Sequence, residues 1–220
     1  MIDLSTLNNM QRKAVEQTEG PVLILAGAGS GKTTVLVNRI AYIIETKNIC
    51  PYNIMAITIT NKAANEMKER VSRVIGDLSQ DMWLCTFHSA CVRILRSHIA
   101  LLGFNNDFVI YDTGDTKTVL KECYKELDID EKNYPFRAVV SVISTAKDNM
   151  QDPEMFKAVY SGDYRMSRIA EIYSLYQKKL KANNAVDFDD ILFFAVKVLS
   201  ENPQVLEKYQ ERFQYIMVDE

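Results

Sequence analysis

The sequence predicts an α/β fold in which a parallel sheet is interrupted by a mostly helical insert. Strand and helix patterns alternate over the first hundred residues, and helical patterns dominate from about residue 112 to residue 212. The apolar residues 215–218 then return to the pattern of a buried strand. We therefore expect an α/β core formed by residues 1–90 and 213–220, with a helical insert over residues 91–212.

Composition excludes several protein classes. The 220 residues are 47% hydrophobic and 25% charged, which is typical of globular proteins and not of disordered or collagen-like ones. The net charge is -3; the first 103 residues carry 11 Lys and Arg against 8 Asp and Glu, and the remainder carry 15 against 21. Because the chain lacks a global positive charge, any nucleic-acid site must be local.

Cysteine usage and apolar runs predict a reduced, cytoplasmic protein without a membrane partner. The four cysteines form no C-x-x-C pair and accompany only two histidines, so a disulfide framework or a zinc site is disfavoured. The amino terminus lacks the pattern of a secretory signal, and the longest apolar stretch, residues 22–28, is too short to span a bilayer.

The first part of the chain contains three strand patterns, each followed by a helix pattern. Strands are predicted at residues 21–26, 54–59 and 83–87, and helices at residues 7–17, 32–46, 61–75 and 90–102. Because residues 21–26 are continuously apolar, we expect that strand to be buried on both faces of a parallel sheet.

The insert is predicted to be a bundle of helices separated by glycine and proline. Its helix patterns cover residues 116–127, 136–147, 153–160, 167–182, 189–200 and 203–214. Apolar side chains at helical spacing predict a stripe that packs in the core: Ile169, Ile172, Tyr173, Tyr176 and Leu180.

The strongest functional motif lies between the first predicted strand and its helix. It consists of Ala26, Gly27, Ala28, Gly29, Ser30, Gly31, Lys32 and Thr33. Apart from its first position it matches the phosphate-binding loop G-x-x-x-x-G-K-[ST], in which small residues let backbone N–H groups surround phosphate oxygens at a helix N-terminus. Lys32 is expected to neutralise phosphate charge and the Thr33 hydroxyl to bind Mg²⁺, which predicts ATP and Mg²⁺ as cofactors. The alternative is a glycine-rich turn that binds no ligand.

Two carboxylates follow the last predicted strand. Ligands of open α/β sheets bind at the carboxyl ends of strands, and Asp219 and Glu220 stand at such an end. We expect Asp219 to hold Mg²⁺ opposite Thr33, and Glu220 to orient or deprotonate the attacking water.

A glutamine precedes the glycine-rich loop by about twenty residues. The side-chain amide of Gln11 offers a donor and an acceptor that match the edge of adenine. A solvated glutamine early in a helix is the alternative.

Polar residues also stand where the second and third strands give way to helices. These segments contain Thr58, Ile59, Asn61, Thr86 and His88. Hydroxyls, amides and helix N-termini at such positions suit contacts with a phosphodiester backbone. Helix capping by Thr60, Asn61 or Ser89, with a structural role for His88, is the alternative.

Two clusters of charged residues in the insert have less specific interpretations. One is Asp187, Asp189 and Asp190, where helix capping is favoured over a metal site. The other is Lys178, Lys179 and Lys181, where a solvated helix end is favoured over contact with a duplex backbone.

Taken in order, these motifs resemble the leading motifs of the UvrD/PcrA/Rep-type superfamily 1 DNA helicases, nearest to the PcrA branch. The resemblance covers essentially the whole chain and includes residues 187–190 and 212–216. It implies a RecA-like P-loop NTPase core (subdomain 1A) interrupted by a helical subdomain (1B), in an ATP-dependent enzyme that moves 3′ to 5′ on single-stranded DNA in repair or replication.

The resemblance also implies roles for particular residues. Gln11 reads adenine, Lys32 and Thr33 serve phosphate and Mg²⁺, and Glu220 activates water. Thr34 completes the nucleotide-binding segment, although the family commonly has Arg at this position. The positions that line the DNA groove are Thr58, Ile59, Asn61, Thr86 and His88. Because the family usually has Phe where Ile59 stands, one aromatic platform for a base is missing; such stacking contributes about 1–3 kcal/mol per base.

The family's later motifs, its arginine fingers and its second RecA-like lobe do not occur in these residues. The resemblance therefore implies an amino-terminal fragment whose partners are the missing C-terminal lobes, single-stranded DNA and single/double-strand junctions. We expect weak nucleotide binding without efficient hydrolysis, because arginine fingers contribute about 10³–10⁵ in rate. The alternatives are a P-loop ATPase or kinase without a DNA role, and an isolated nucleotide- or DNA-binding module.

Overall fold

The computed structural model describes residues 4–219. These residues divide into two compact units. The first contains the residues up to Ala90 together with those from Leu206 onward, and the second is Cys91–Val205.

The elements are, in chain order, α1 (Asn9–Glu16), α2 (Lys32–Lys47), β1 (Ile54–Thr58), α3 (Asn61–Ile75), β2 (Trp83–Thr86), α4 (Phe87–His98), β3 (Val109–Ile110), α5 (Thr113–Glu126), α6 (Phe136–Asp148), α7 (Pro153–Val159), α8 (Tyr164–Ala182), β4 (Ala185–Val186), α9 (Phe188–Glu201), α10 (Pro203–Arg212) and β5 (Tyr215–Asp219). The expectation of a mixed α/β chain with a small parallel sheet and many helices is confirmed.

The first unit is built on a three-stranded parallel sheet in the order β2-β1-β5. Its central strand places Ala56 opposite Leu84 on one side and Met217 on the other. Helices α2 and α3 cover one face of this sheet, and their buried side chains include Ile40 and Met67. Since parallel strands end at the same edge, the residues that end β1, β2 and β5 all lie at the carboxyl edge.

Aromatic side chains pack around the start of β2 within the same unit. The ring of Trp83 lies 5.0 Å from that of Phe213 and 6.0 Å from that of Tyr209, measured between centroids. The Arg212 guanidinium lies 3.7 Å from the ring centroid of Tyr52, which adds a cation–π contact. These contacts join the segment that leads into β5 to the rest of the first unit.

The prediction of a buried strand at residues 21–26 is wrong. The structure has no strand there, and the side chains of Leu23 and Leu25 are 82% and 86% exposed. Within the described residues β5 pairs only with β1, and its side chains Ile216 and Val218 are exposed. An apolar run supplies the composition of a strand, but its backbone N–H and C=O groups still need a neighbouring strand, and the described structure provides none.

The second unit has a core of its own between its helices. The predicted apolar stripe on α8 is confirmed: Ile169, Ile172, Tyr173, Tyr176 and Leu180 are all buried. The six helices predicted between residues 116 and 214 begin and end within three residues of their predicted limits. Sequence analysis missed the short parallel pair of β3 and β4, whose two residues each are too few for a recognisable strand pattern.

A buried ion cluster connects α6 to α9 in the second unit. The Lys147 ammonium lies 2.7 Å from a carboxylate oxygen of Asp187 and 2.9 Å from one of Asp190. The Tyr176 hydroxyl donates a hydrogen bond of 2.8 Å to Asp187. Burial alone would lower the pKa of Lys147, but the two carboxylates hold it above its ordinary value. Burial raises the pKa of Asp190 to about 6, against the opposing effect of Lys147.

Helix capping explains the acidic cluster at the start of α9. Asp187 is the N-cap residue, and one of its carboxylate oxygens accepts a hydrogen bond of 2.8 Å from the Asp190 backbone N–H. In return, a carboxylate oxygen of Asp190 accepts a hydrogen bond of 3.1 Å from the Asp187 backbone N–H, which completes a capping box. Capping is therefore confirmed. Within the described residues, no three or more His, Cys, Asp or Glu side chains are grouped so that they could hold a metal ion. In the same part of the chain, no helix combines the length and the hydropathy needed to cross a membrane.

Candidate functional site

The glycine-rich loop turns tightly into α2. Gly29 and Gly31 have φ angles of 75° and 87°, the left-handed region that L side chains rarely adopt. A Cβ at Gly31 would lie 2.9 Å from the side-chain nitrogen of Gln11, so a larger residue there would displace the end of that side chain as well as strain the backbone. Ser30 closes the loop by donating hydrogen bonds to the Gly27 carbonyl from its hydroxyl at 2.7 Å and from its backbone N–H at 3.3 Å.

Lys32 is the first residue of α2, and its side chain folds back over the loop. Its ammonium donates hydrogen bonds of 3.1 Å to the carbonyls of Ala26 and of Gly27. The first turn of α2 carries no acidic residue, so the positive end of the helix and the ammonium charge act at the same place. This arrangement favours an anion, and a phosphate oxygen is a stronger partner for an ammonium than a neutral carbonyl is.

The loop and the end of β5 meet at the carboxyl edge of the sheet. The Thr33 hydroxyl oxygen lies 3.4 Å from a carboxylate oxygen of Asp219, although 186 positions separate the two residues. Hydroxyl and carboxylate oxygens are the ligands that Mg²⁺ accepts, and these two are close enough to contact one cation. The donor set therefore fits the predicted metal. Glu220, the predicted water-activating residue, lies outside the described residues.

Gln11 contacts the loop directly. Its side-chain nitrogen donates a hydrogen bond of 2.9 Å to the Ser30 carbonyl. Its side-chain oxygen accepts from the Asn8 backbone N–H at 3.0 Å in a reciprocal capping box. Gln11 thus connects α1 to the glycine-rich loop, while adenine recognition by the same amide stays a prediction.

Sequence analysis missed Arg39, which holds α1 against α2. This buried guanidinium donates hydrogen bonds to the carbonyls of Ala14, at 2.7 Å, and of Gln17. Burial lowers the pKa of Arg39 from its ordinary value. An arginine on the apolar face of a predicted helix is the signal that could have found it, because such a charge needs partners when buried.

The predicted DNA-contacting residues lie at the same carboxyl edge, where β1 and β2 end. Thr58 and Thr86 are buried at the strand ends, whereas Ile59 is exposed. Asn61 begins α3 and His88 lies in the first turn of α4.

Helix capping, the alternative to DNA contact at these strand ends, is confirmed in part. The Thr60 hydroxyl accepts from the Ala63 backbone N–H, and the Thr86 hydroxyl accepts from that of Ser89. The structure also shows an exposed aromatic ring at Phe87, next to the residues chosen from the sequence. Sequence analysis did not select it because a phenylalanine that ends a strand pattern is normally buried.

The basic cluster at the end of α8 is engaged within the second unit. The Lys179 ammonium lies 3.0 Å from Glu126 and 3.6 Å from Glu122. The Lys181 ammonium donates a hydrogen bond of 3.0 Å to the Leu102 carbonyl. The ammonium groups of Lys179 and Lys181 therefore already have partners inside this unit.

Comparison with known proteins gives a consistent result. The sequence profile of the family described as UvrD/REP helicase N-terminal domain matches residues 7–220. An ATP-dependent DNA helicase PcrA from Bacillus subtilis (strain 168) is 49% identical over 217 residues, which cover 99% of this chain and 29% of that protein. Helicases of the same name from Staphylococcus aureus (strain Mu50) and Staphylococcus epidermidis are 46% and 45% identical over 217 residues. The chain spans about 30% of the length of these relatives.

Proposed function

The chain belongs to the UvrD/REP helicase family, whose amino-terminal domain it matches, and we propose that it is the ATP-binding lobe of an ATP-dependent DNA helicase. In this proposal the first unit is a RecA-like core (1A) and the second corresponds to the helical subdomain (1B). The enzyme moves 3′ to 5′ on single-stranded DNA in repair or replication, in the cytoplasm.

The contact between Thr33 and Asp219 is the observation that carries the proposal. A glycine-rich turn without a ligand would not need an acidic strand end beside it, whereas a site for a metal-bound triphosphate needs both. The approach of these two oxygens to 3.4 Å supplies that pairing.

Each residue of the site has a distinct role in the proposed reaction. Lys32 exchanges its two carbonyl partners for phosphate oxygens of ATP, and the loop N–H groups orient those oxygens. Thr33 and Asp219 hold Mg²⁺, which neutralises phosphate charge when bound. Glu220 orients the attacking water, and Gln11 contacts adenine.

The proposed DNA groove follows the ends of β1 and β2. It is formed by Thr58, Ile59, Asn61, Thr86 and His88. Phe87 is added here because its exposed ring offers the base-stacking surface that Ile59 cannot supply. Single-stranded DNA and single/double-strand junctions are the proposed ligands.

Hydrolysis is proposed to need the rest of the helicase. The chain spans about 30% of its relatives, and the charges that stabilise phosphoryl transfer across a cleft come from other lobes in this class. The isolated chain is therefore expected to bind nucleotide without efficient turnover.

Nucleotide binding tests the proposal directly. A fluorescent ATP analogue with Mg²⁺ is titrated into the wild type, Lys32→Ala and Lys68→Ala, the last being an exposed lysine of the same unit. Loss of charge-assisted hydrogen bonds of about 1.5–3 kcal/mol weakens binding by Lys32→Ala about 10- to 150-fold, while the control is unchanged. Equal affinity of all three proteins for the nucleotide would contradict the proposed site. If the chain binds nucleotide but does not bind DNA, an ATPase or kinase with no DNA role is favoured instead.

A further inference from the structure

The helix that carries Gln11 is too short to hold its position by itself. Helix α1 contains 8 residues, whereas isolated helices shorter than about 12–15 residues are marginal in water. Its place in the first unit therefore depends on contacts with neighbouring elements. One of these contacts is apolar: Val15 is fully buried in a small cluster with Leu7 and with Val35 of α2.

The other contact is made by Arg39 at the carboxyl end of α1. The last carbonyls of a helix have no partner within it, and a cation placed there also interacts favourably with the negative end of the helix. One guanidinium nitrogen of Arg39 donates to the carbonyl of Ala14, at 2.7 Å, and to that of Gln17. Since Arg39 belongs to α2, the helix that follows the glycine-rich loop, it ties the end of α1 to the element that carries Lys32.

The Arg39 contact lies close to Gln11 along α1. Gln11 precedes Ala14 by three residues, which is less than one helical turn and about 4.5 Å along the helix axis. Over so short a distance a helix moves as one piece. Any change in how Arg39 holds the end of α1 therefore changes the position of the Gln11 side chain as well.

The Gln11 amide keeps capacity for a ligand. A glutamine amide has two N–H donors and an oxygen with two lone pairs. The Ser30 carbonyl uses one donor, at 2.9 Å, and the Asn8 backbone N–H uses one lone pair, at 3.0 Å. Within residues 4–219, one donor and one acceptor of the amide are left over, which is the pair that the N7 and N6 edge of adenine requires. Because hydrogen bonds weaken steeply when misaligned, the orientation of the amide decides whether both can form together.

We propose that Arg39 is a positioning residue that gives the nucleotide site its preference for adenine. It acts through α1: by anchoring the end of this helix it orients the Gln11 amide toward the base, while Lys32 and the loop hold the phosphates. This role rests on the proposed function, since ATP must bind at the glycine-rich loop with its adenine against Gln11. An arginine that only stabilised the fold would affect every ligand of the site alike.

Separate measurements of base and phosphate binding test this role. Isothermal titration calorimetry gives the affinity for ATP and for inorganic tripolyphosphate, each with Mg²⁺, because the second ligand carries the phosphate charge without the base. The variants are Arg39→Met, Arg39→Lys, Gln11→Ala and the double variant Gln11→Ala/Arg39→Met. Arg73→Met is the control, since Arg73 is an exposed arginine on α3 of the same unit. Circular dichroism verifies that each protein is folded.

The two ligands should respond differently to loss of the guanidinium. Arg39→Met should weaken ATP binding about 5- to 150-fold, the effect of losing two ordinary hydrogen bonds, and should leave tripolyphosphate binding close to that of the wild type. The double variant should bind ATP no more weakly than Gln11→Ala, because effects of residues that act through one another do not add. Arg39→Lys keeps a charged donor and should show a smaller loss confined to ATP, so it carries the test if Arg39→Met does not fold. The control should bind both ligands like the wild type.

Equal losses for both ligands in the Arg39 variants would overturn this role, because they would show an effect on the loop or on the whole fold. Unchanged ATP binding, or additive losses in the double variant, would overturn it too. A wild type that binds ATP no more tightly than tripolyphosphate would contradict the adenine contact of Gln11, and this role with it. A wild type that binds neither ligand would contradict the proposed nucleotide site itself, on which the role depends.

Discussion

Replacing the buried lysine of the second unit should destabilise the protein more than any change on its surface. Lys147 is 2% exposed and is the only cation within ion-pair distance of Asp187 and Asp190 among the described residues. Lys147→Met keeps the length of the side chain but leaves two carboxylates without a counter-ion in the core. Breaking a buried ion pair from one side costs about 3–5 kcal/mol, and we expect a loss in that range at pH 7.

The loss should depend on pH, and its sign follows from the two carboxylates. The Asp190 pKa of about 6 lies above the ordinary value of 3.8, so this group stabilises the fold fully below pH 3.8 and loses that contribution as pH rises through 6. The Asp187 pKa is lowered, since the attraction of Lys147 outweighs the effect of burial, so its contribution is present above 3.8 and is lost as pH falls. Without Lys147 both carboxylates should take up protons more easily, and the deficit of the variant should shrink from pH 7 to pH 5.

Urea unfolding followed by far-ultraviolet circular dichroism measures this deficit. Lys157→Met is the control, because Lys157 is exposed on α7 of the same unit and should change the free energy of unfolding by less than about 0.5 kcal/mol. A second variant, Lys147→Met with Asp190→Asn, should recover part of the loss by removing one uncompensated charge. A deficit for Lys147→Met below about 1 kcal/mol, or one that grows as pH falls, would refute the reasoning.

Three further predictions concern the loop, the groove and the apolar segment. Gly31→Ala should weaken binding of a fluorescent ATP analogue, because a φ of 87° is strained for alanine and the new Cβ would lie 2.9 Å from the Gln11 side-chain amide. The control Gly162→Ala should bind the analogue like the wild type, since no atom lies within 4 Å of the Cβ added there. Ile59→Phe should strengthen binding of single-stranded DNA by about 1–3 kcal/mol in anisotropy titrations, and an unchanged affinity would show that no base reaches this position. Leu23→Lys should change the free energy of unfolding by less than about 0.5 kcal/mol, whereas Leu84→Ala should cost about 2–5 kcal/mol in the same urea experiment. A large loss for Leu23→Lys would instead favour the buried strand that the sequence predicts.

Much of the candidate site was accessible to sequence reasoning because its chemistry is local. The loop from Ala26 to Thr33 is a contiguous motif in which Gly29 and Gly31 are favoured by their own left-handed backbone angles. The caps at Thr60 and Asp187 are likewise set within one helical turn, and the structure confirms both. The same locality explains why the helices were predicted closely.

The remaining features required the tertiary structure. Arg39 binds carbonyls more than twenty positions away, and the Lys147 cluster joins residues forty positions apart, so no window of sequence reveals either contact. Phe87 was not selected because exposure depends on which elements pack against a ring, and composition does not decide that.

By itself, the sequence determined the elements that depend on neighbours along the chain: the helices, their caps, the glycine-rich turn before α2 and the core stripe of α8. The strands predicted at residues 54–59, 83–87 and 215–218 are confirmed as β1, β2 and β5, but only the tertiary structure decided that residues 21–26 form none, and which distant groups meet. Residues 21–26 have a strand's composition but no ladder partner, whereas the two-residue strands β3 and β4 pair without a recognisable pattern. The physical reason is that a helix satisfies its backbone hydrogen bonds within itself, whereas a strand needs a neighbouring strand that the fold must bring to it. The contact of Thr33 with Asp219 depends on the fold in the same way, because the two residues are far apart in the sequence.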